Sequence, residues 1–326
     1  MADRSQVILE NEILRVVSLP LMGGKIASLF HKESCFEAAA QAGQNVRGNP
    51  PEGAAVPLEE RHGFARYAYG LDDAFPNIDE EDFVWNGKKR HYPDHGEIWN
   101  ADFRILEQGK DFLKLCWESP DFSYRYEKKL NLVENSIRIC YNITNIGEDL
   151  LPAFWTWHGL MRYEEDMEIL LPEGTRQCWN VLADDVLGKP DTVYPCRSAV
   201  YDFTKVPAKN SGRAVKYYAE PEGFMGGAKG GANIDGVNDA TPACCGFFYP
   251  SSKMSCLLRY DTGKLPYLGV WITAGGFLGD YNCALEPTNG FYDSVSRAAK
   301  NQRLPVLAPG EAMEFELEIS LCRETC

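Results

Sequence analysis

The chain lacks most of the features that would tie it to a membrane, a nucleic acid or a nucleotide. Its start, Met1-Ala2-Asp3-Arg4-Ser5-Gln6, has no apolar segment of the kind a secretory signal carries. No apolar run approaches the roughly 18 residues of a membrane span. Basic charge is scarce, with 33 Lys and Arg against 47 Asp and Glu and a formal net charge of −14. That balance disfavours nucleic acid and anionic membranes as partners, and polyanionic substrates as well. The 11 cysteines are odd in number and irregularly spaced, without a C-x-x-C pair, and the adjacent Cys244 and Cys245 are poorly placed to bridge one another. They read as reduced thiols in a cytoplasmic protein, with no zinc site. The glycine-rich stretch around Gly226–Gly231 lacks the G-x-x-x-x-G-K-[ST] order and the strand-to-helix setting of a phosphate-binding loop, so no nucleotide cofactor is expected. Sustained helical periodicity is nearly absent too.

Short strands fill the chain instead. Val7–Leu9 and Ile13–Val17 flank Asn11-Glu12 as a hairpin, and Lys25–Phe30 follows Gly23-Gly24 as another strand. Phe112–Trp117 and Tyr124–Leu132 precede the run Ile137–Asn145. There Ile137, Ile139, Tyr141 and Ile143 alternate with Arg138, Cys140, Asn142 and Thr144, the pattern of a half-buried strand. The chain resumes extended at Pro152, with Phe154, Thr156 and His158 on one face and Trp155 and Trp157 on the other. Near the end, Met313, Phe315, Leu317, Ile319 and Leu321 alternate with Glu314, Glu316, Glu318 and Ser320 after a Pro309-Gly310 turn. Residues 38–58 read as a loop or short helix and not as a domain boundary, because strand patterning resumes unchanged afterwards, and residues 226–240 read as a long polar loop. The class is all-β, a large antiparallel β-sandwich, expected to be a single domain over residues 1–326.

Four stretches carry polar groups with chemical potential. His158 ends an aromatic strand, where on its own it is equally a core histidine. Asp94-His95-Gly96-Glu97-Ile98-Trp99 gathers an imidazole, two carboxylates and an indole around one glycine, without metal-ligand spacing. Asp72-Asp73 precede the Phe75-Pro76 corner as a binding loop would. Glu286 shares a face with Asn282 and Ala284 and stands just before Pro287, which keeps it extended at a strand end. A solvated glutamate would look the same from sequence.

The order of these pieces resembles the aldose 1-epimerase (galactose mutarotase-like) family. The features that match are Gly23-Gly24-Lys25-Ile26, Phe75-Pro76 followed by Asp94-His95-Gly96, the alternating strand ending in Asn145 that leads to His158, and a closing Val270-Trp271-Ile272, Leu285-Glu286-Pro287 and Pro309-Gly310-Glu311. The resemblance runs from about residue 7 to 322. It implies a β-supersandwich with an open cleft across one sheet and a sugar as ligand. It further implies His158 as general acid, Glu286 as general base and His95 as a substrate-orienting histidine. Asp73, Glu97 and Trp99 join His95 as candidate substrate-binding residues. Arg61-His62-Gly63-Phe64-Ala65-Arg66 mimics the His-Gly element but lies before Phe75-Pro76, and is set aside as a decoy. The Gly-Arg-x-x-Asn-Arg stretch of many members is missing, leaving Arg61 and Arg66 as the nearest arginines. His158 is followed by Gly159-Leu160 where better-known mutarotases carry Tyr and Phe, so sugar preference stays open.

Anomer interconversion fits these residue types. The O1 proton must leave while the ring oxygen gains one, then the reverse after rotation about C1–C2. An imidazole and a carboxylate on opposite sides of the ring can do this near neutral pH without a cofactor or metal. Trp99, Trp155, Trp157 and Trp271 offer flat apolar faces for a pyranose, and Trp99 is the one selected. Three readings follow: a mutarotase-type isomerase of a free sugar, a non-catalytic carbohydrate-binding sandwich, and a glycoside hydrolase or lyase pairing Glu286 with Asp73 or Glu97. The expected partner is a small-molecule sugar, the protein being a monomer or homodimer.

Overall fold

Asn11 starts the architecture by capping its own turn: its side-chain oxygen accepts from the backbone N–H of Ile13 and Leu14. Val7–Glu10 and Leu14–Leu19 then pair antiparallel as the hairpin predicted from sequence. The computed structural model describes residues 6–41, 60, 62–209, 211–221 and 242–323. Most of residues 38–58 and 226–240 lies outside the described residues.

Two antiparallel sheets carry the fold. Across the 12-stranded sheet the main path runs Val7–Glu10, Leu14–Leu19, Lys25–His31, Leu71–Ala74, Thr156–Gly159, Tyr281–Thr288, Tyr267–Ala274, Arg213–Pro221, Thr175–Asn180, Val193–Pro195. The 8-stranded sheet runs Glu168–Leu170, Pro242–Tyr249, Met254–Asp261, Ala312–Arg323, Ser136–Asn145, Tyr124–Val133, Phe112–Glu118, Arg104–Gln108. The alternation in sequence explains the second sheet directly. Ile137, Ile139, Tyr141 and Ile143 are buried and pair with Ile319, Leu317, Phe315 and Met313, while Arg138 and Cys140 face outward beside Glu318 and Glu316. The result is a β-sandwich whose one large core mixes side chains of both sheets, among them Ile26, Trp157 and Val270 from the first and Leu130, Ile139 and Leu317 from the second.

The stretch from Pro152 to His158 departs from a single strand. Leu151–Pro152 pairs with Val306–Leu307, and the chain then crosses to enter the large sheet at Thr156. Trp155 sits at the break. Its indole is fully buried between the sheets, tilted against Tyr141 and Phe315 at 4.8 and 4.4 Å between centroids, and donates to the Tyr126 hydroxyl. Trp157 points into the same core. Both indoles therefore belong to packing, which leaves His158 on the opposite face of the sheet.

The single α-helix among the described residues is Val295–Lys300, and no helix there is long and apolar enough to cross a membrane. Among the described residues no cysteine is in a disulfide.

Candidate functional site

Strand register builds the site. Thr156 stands opposite Thr288, so two residues further along His158 comes opposite Glu286. His158 is paired on its other side with Asp72, and Glu286 on its other side with Gly269, which faces Tyr218. One row of side chains, Asp72, His158, Glu286, Gly269 and Tyr218, thus crosses five strands on the same face. The row has a gap where Gly269 sits. A Cβ there would lie 2.9 Å from Glu286 Oε2, so glycine leaves the carboxylate its room.

The two central groups touch. His158 Nε2 lies 3.6 Å from Glu286 Oε1, with side chains 6% and 0% exposed. Lys216 Nζ stands 3.1 Å from Glu286 Oε2 and 3.0 Å from Asp293 Oδ2, and the Tyr218 hydroxyl donates to Asp293 Oδ1 at 2.8 Å. Glu286 Oε1 and Nδ1 of His158 are buried with no aligned hydrogen-bond partner, while Oε2 meets the Lys216 ammonium. Such groups are uncommon, and each unsatisfied one costs about 1–3 kcal/mol. Their convergence marks this pair as the candidate site.

Burial decides the protonation. It holds the His158 imidazole well below its ordinary range, and repulsion from His95, Lys216 and Lys25 pushes the same way. Burial raises Glu286 above the usual carboxylate range, while Lys216 opposes that shift and Asp293 adds to it. Burial also works against the charge of Lys216, but Asp293 and Glu286 outweigh it and hold the ammonium above its ordinary range. Asp72 is pushed up to about 6 by burial despite its ion pair with Lys25.

A second layer closes over the pair. Gly96 has a positive φ of 70°, and a Cβ there would fall 2.1 Å from the Phe75 carbonyl oxygen. Only glycine lets the turn lie on Phe75, with Glu97 N–H donating to Phe75 O and His95 N–H to Ile78 O. This contact is why Phe75-Pro76 and Asp94-His95-Gly96 act as one unit. It sets the His95 ring edge-on to His158, 4.8 Å between centroids at 84°. Asp94 Oδ1 lies 2.7 Å from His95 Nδ1 and orients the ring. Gly23 does similar service for Trp99: a Cβ on it would meet the Ile98 carbonyl oxygen at 2.4 Å. Trp99 and Trp271 flank a small apolar cluster of Ala40, Phe64, Ala68, Leu160 and Ala284 beside the pair.

The structure thus brings His158, Glu286, His95 and Trp99 together, but not Asp73 or Glu97. Asp73 pairs in register with Trp157, so it points between the sheets, where Lys128 Nζ lies 2.9 Å from Oδ2 and the Tyr141 hydroxyl 2.8 Å from Oδ1. Its neighbour Asp72 holds the other face. Glu97 turns away as well, against Ser119 and Tyr124, with burial raising its carboxyl and those two hydroxyls opposing. The segment set aside as a decoy also needs correction. Phe64, in the short 3-10 helix Gly63–Tyr67, stacks on His95 at 3.8 Å and 11° and meets the edges of His158 and Trp99. Lys25 holds this segment by donating to the carbonyls of Tyr67 and Tyr69. Arg66 is exposed near the Tyr67 ring, and Arg61 lies outside the described residues. Sequence reasoning also missed Lys216 and Asp293. The available signal was the period-2 pattern that puts Lys216 and Tyr218 on one face of a strand and Val215 and Tyr217 on the other.

Comparison with known proteins agrees with this geometry at the level of fold. A family model described as a domain of unknown function (DUF4432) matches residues 215–321, a span that holds Lys216, Glu286 and Asp293. No curated protein matches the chain in sequence. Solved structures superimpose over nearly all of it. The Slr1438 protein of Synechocystis sp. PCC 6803 is 16% identical with a TM-score of 0.67, covering 98% of this chain and 96% of its own. A galactose mutarotase related enzyme from Lactobacillus acidophilus is 15% identical with a TM-score of 0.67, at 98% of both chains. A galactose mutarotase-like protein from Clostridium acetobutylicum is 14% identical with a TM-score of 0.69, at 98% and 95%. In fold, the chain is a galactose mutarotase-like β-sandwich.

Proposed function

We propose that this protein interconverts the α and β anomers of a free aldose or a close derivative, with Glu286 and His158 exchanging protons with the sugar. The observation that carries the reading is the buried pair itself, an imidazole and a carboxylate 3.6 Å apart on neighbouring strands, with Lys216 as the close cation of the carboxylate and no aligned hydrogen bond at His158 Nδ1. Groups this close do not clamp opposite sides of a ring, as the sequence reading supposed. They fit the two oxygens borne by one anomeric carbon. Glu286 takes the O1 proton as His158 gives one to the ring oxygen, the C1–O5 bond opens to the aldehyde, and both transfers reverse after C1–C2 rotation. His95, stacked beneath Phe64, orients the sugar, and Trp99 and Trp271 line its apolar side.

This cycle needs one proton on His158 and none on Glu286. Because burial holds the imidazole below its ordinary range, that state is lost as pH rises through the lowered His158 value. The basic limb of kcat/KM should therefore fall below about pH 6.5, the ordinary imidazole value, and the acidic limb should report Glu286. The hydrolase reading loses its named partners, since neither Asp73 nor Glu97 faces Glu286. Magnetisation-exchange NMR across hexoses, pentoses and 6-deoxy sugars tests the proposal. Enzyme-dependent exchange on at least one sugar supports it. Binding without exchange makes the protein a sugar-binding module, and release of a monosaccharide from a disaccharide makes it a hydrolase.

A further inference from the structure

We propose that Lys216 is the positioning residue of this site: fixed between Asp293 and Glu286, its ammonium keeps the buried Glu286 ionised and aimed at the reacting oxygen. The inference rests on the reading of Glu286 as the base. Lys216 lies on Arg213–Pro221 opposite Trp271, two residues from Tyr218, so both side chains reach the cleft face. Its Nζ is nearly equidistant from Glu286 Oε2 and Asp293 Oδ2, at 3.1 and 3.0 Å. Asp293 is itself anchored at both ends. Tyr218 donates to its carboxylate, and its backbone carbonyl accepts from the N–H groups of Ile78 and Asp79. The ammonium is therefore held from the side away from His158, and Glu286 is drawn toward a fixed point rather than a mobile chain end.

A carboxylate with no exposed surface takes up a proton unless a counter-charge stays beside it. The titratable and charged groups facing Glu286 are Lys216 and Tyr218 from one strand, His158 from the other side, Asp293 from the loop after Thr288, and His95 from the turn above, while Asp79 acts on Lys216 and Asp293. Among the described residues, Lys216 is the only lysine or arginine within ion-pair distance of it. Gly269 completes the arrangement, because any side chain there would press on Oε2.

The test needs no sugar, so its failure is distinct from failure of the isomerase reading. With glutamate labelled at the side-chain carboxyl carbon, NMR follows each titration, and Glu286→Gln identifies the Glu286 signal. In Lys216→Met the Glu286 midpoint should rise by about 1–3 pH units, the usual effect of one neighbouring opposite charge. Lys216→Arg, which keeps the charge, should leave it near the wild-type value. Asp293→Asn removes both a repelling charge and a competitor for the ammonium, so the midpoint should fall, and it provides the answer if Lys216→Met does not fold. A Glu286 midpoint unmoved in folded Lys216→Met, or unmoved in Asp293→Asn, overturns the proposal.

Discussion

Asp73→Asn separates a cleft residue from a core residue. The Asp73 carboxylate and the Lys128 ammonium are 0% and 3% exposed and 2.9 Å apart, and the Tyr141 hydroxyl donates to the second oxygen. Asparagine keeps the shape but leaves the Lys128 charge in the core without a counter-ion. Breaking a buried pair in this way costs about 3–5 kcal/mol. The loosened Tyr141 hydroxyl adds a share of the roughly 1–3 kcal/mol of an unmet buried donor, and because both bonds share one carboxylate the two terms do not simply add. A loss near 4 kcal/mol is a large part of the roughly 5–15 kcal/mol that holds a domain together. Urea titration should show a lower midpoint, and adding Lys128→Met should recover most of the loss, since apolar replacement of both partners is often close to neutral. Sugar affinity of the folded fraction should stay unchanged. Full stability with weakened sugar binding would refute the reasoning and return Asp73 to the cleft.

Three further expectations follow from the same geometry. Gly269→Ala should leave the fold intact but displace Glu286, so anomerisation falls by at least tenfold in exchange NMR, and a fully active variant would deny the close contact at Oε2. Phe64→Ala should lower stability, since Phe64 is buried in the apolar cluster and such a truncation costs about 3–5 kcal/mol, and should weaken sugar binding of the folded protein by up to about tenfold, because it removes aromatic contacts of about 0.5–1.5 kcal/mol each that steady His95; calorimetric titration decides. The His158 value is depressed in the folded state, so the stability tied to its neutral form is complete above about pH 6.5 and lost as pH falls through the folded value. Asp72, raised to about 6, acts oppositely: its contribution is present below about pH 3.8 and lost as pH rises through about 6. Comparing wild type with His158→Asn at pH 7.5 and 5.5 isolates the histidine. Wild type should lose more stability on acidification, and equal losses would reject its buried neutral state.

Strand content was legible wherever one face is buried and the other wet, as in Ile137–Ile143 against Met313–Leu321. Period-2 alternation is what such a strand requires, and the outer glutamates and arginine mark its other face. The gap at residues 153–155 was not legible, because an extended chain crossing between layers has the same local pattern as a strand. His158 and Glu286 share the cleft because two strands far apart in sequence run side by side, which only the order of short motifs hinted at. Asp72 and Asp73 show the limit of local reading: adjacent carboxylates on a strand point to opposite faces, and which one faces the cleft depends on a register fixed by partners elsewhere. Glu97 was misread for a similar reason, since the positive-φ turn at His95 and Gly96 sends successive side chains in directions that no strand rule gives. Phe64 escaped because its segment precedes the motif it packs against.

The most direct measurement is the anomer exchange rate of Glu286→Gln beside wild type, on whichever sugar the wild type turns over in magnetisation-exchange NMR. Glutamine keeps the size of the side chain but can no longer take the O1 proton. A positioned general base contributes about 10²–10⁴-fold, so the rate should fall by that factor while sugar affinity changes little and the acidic limb of the pH profile disappears. A Glu286→Gln protein that exchanges anomers as fast as the wild type would contradict the account, even with the fold unchanged.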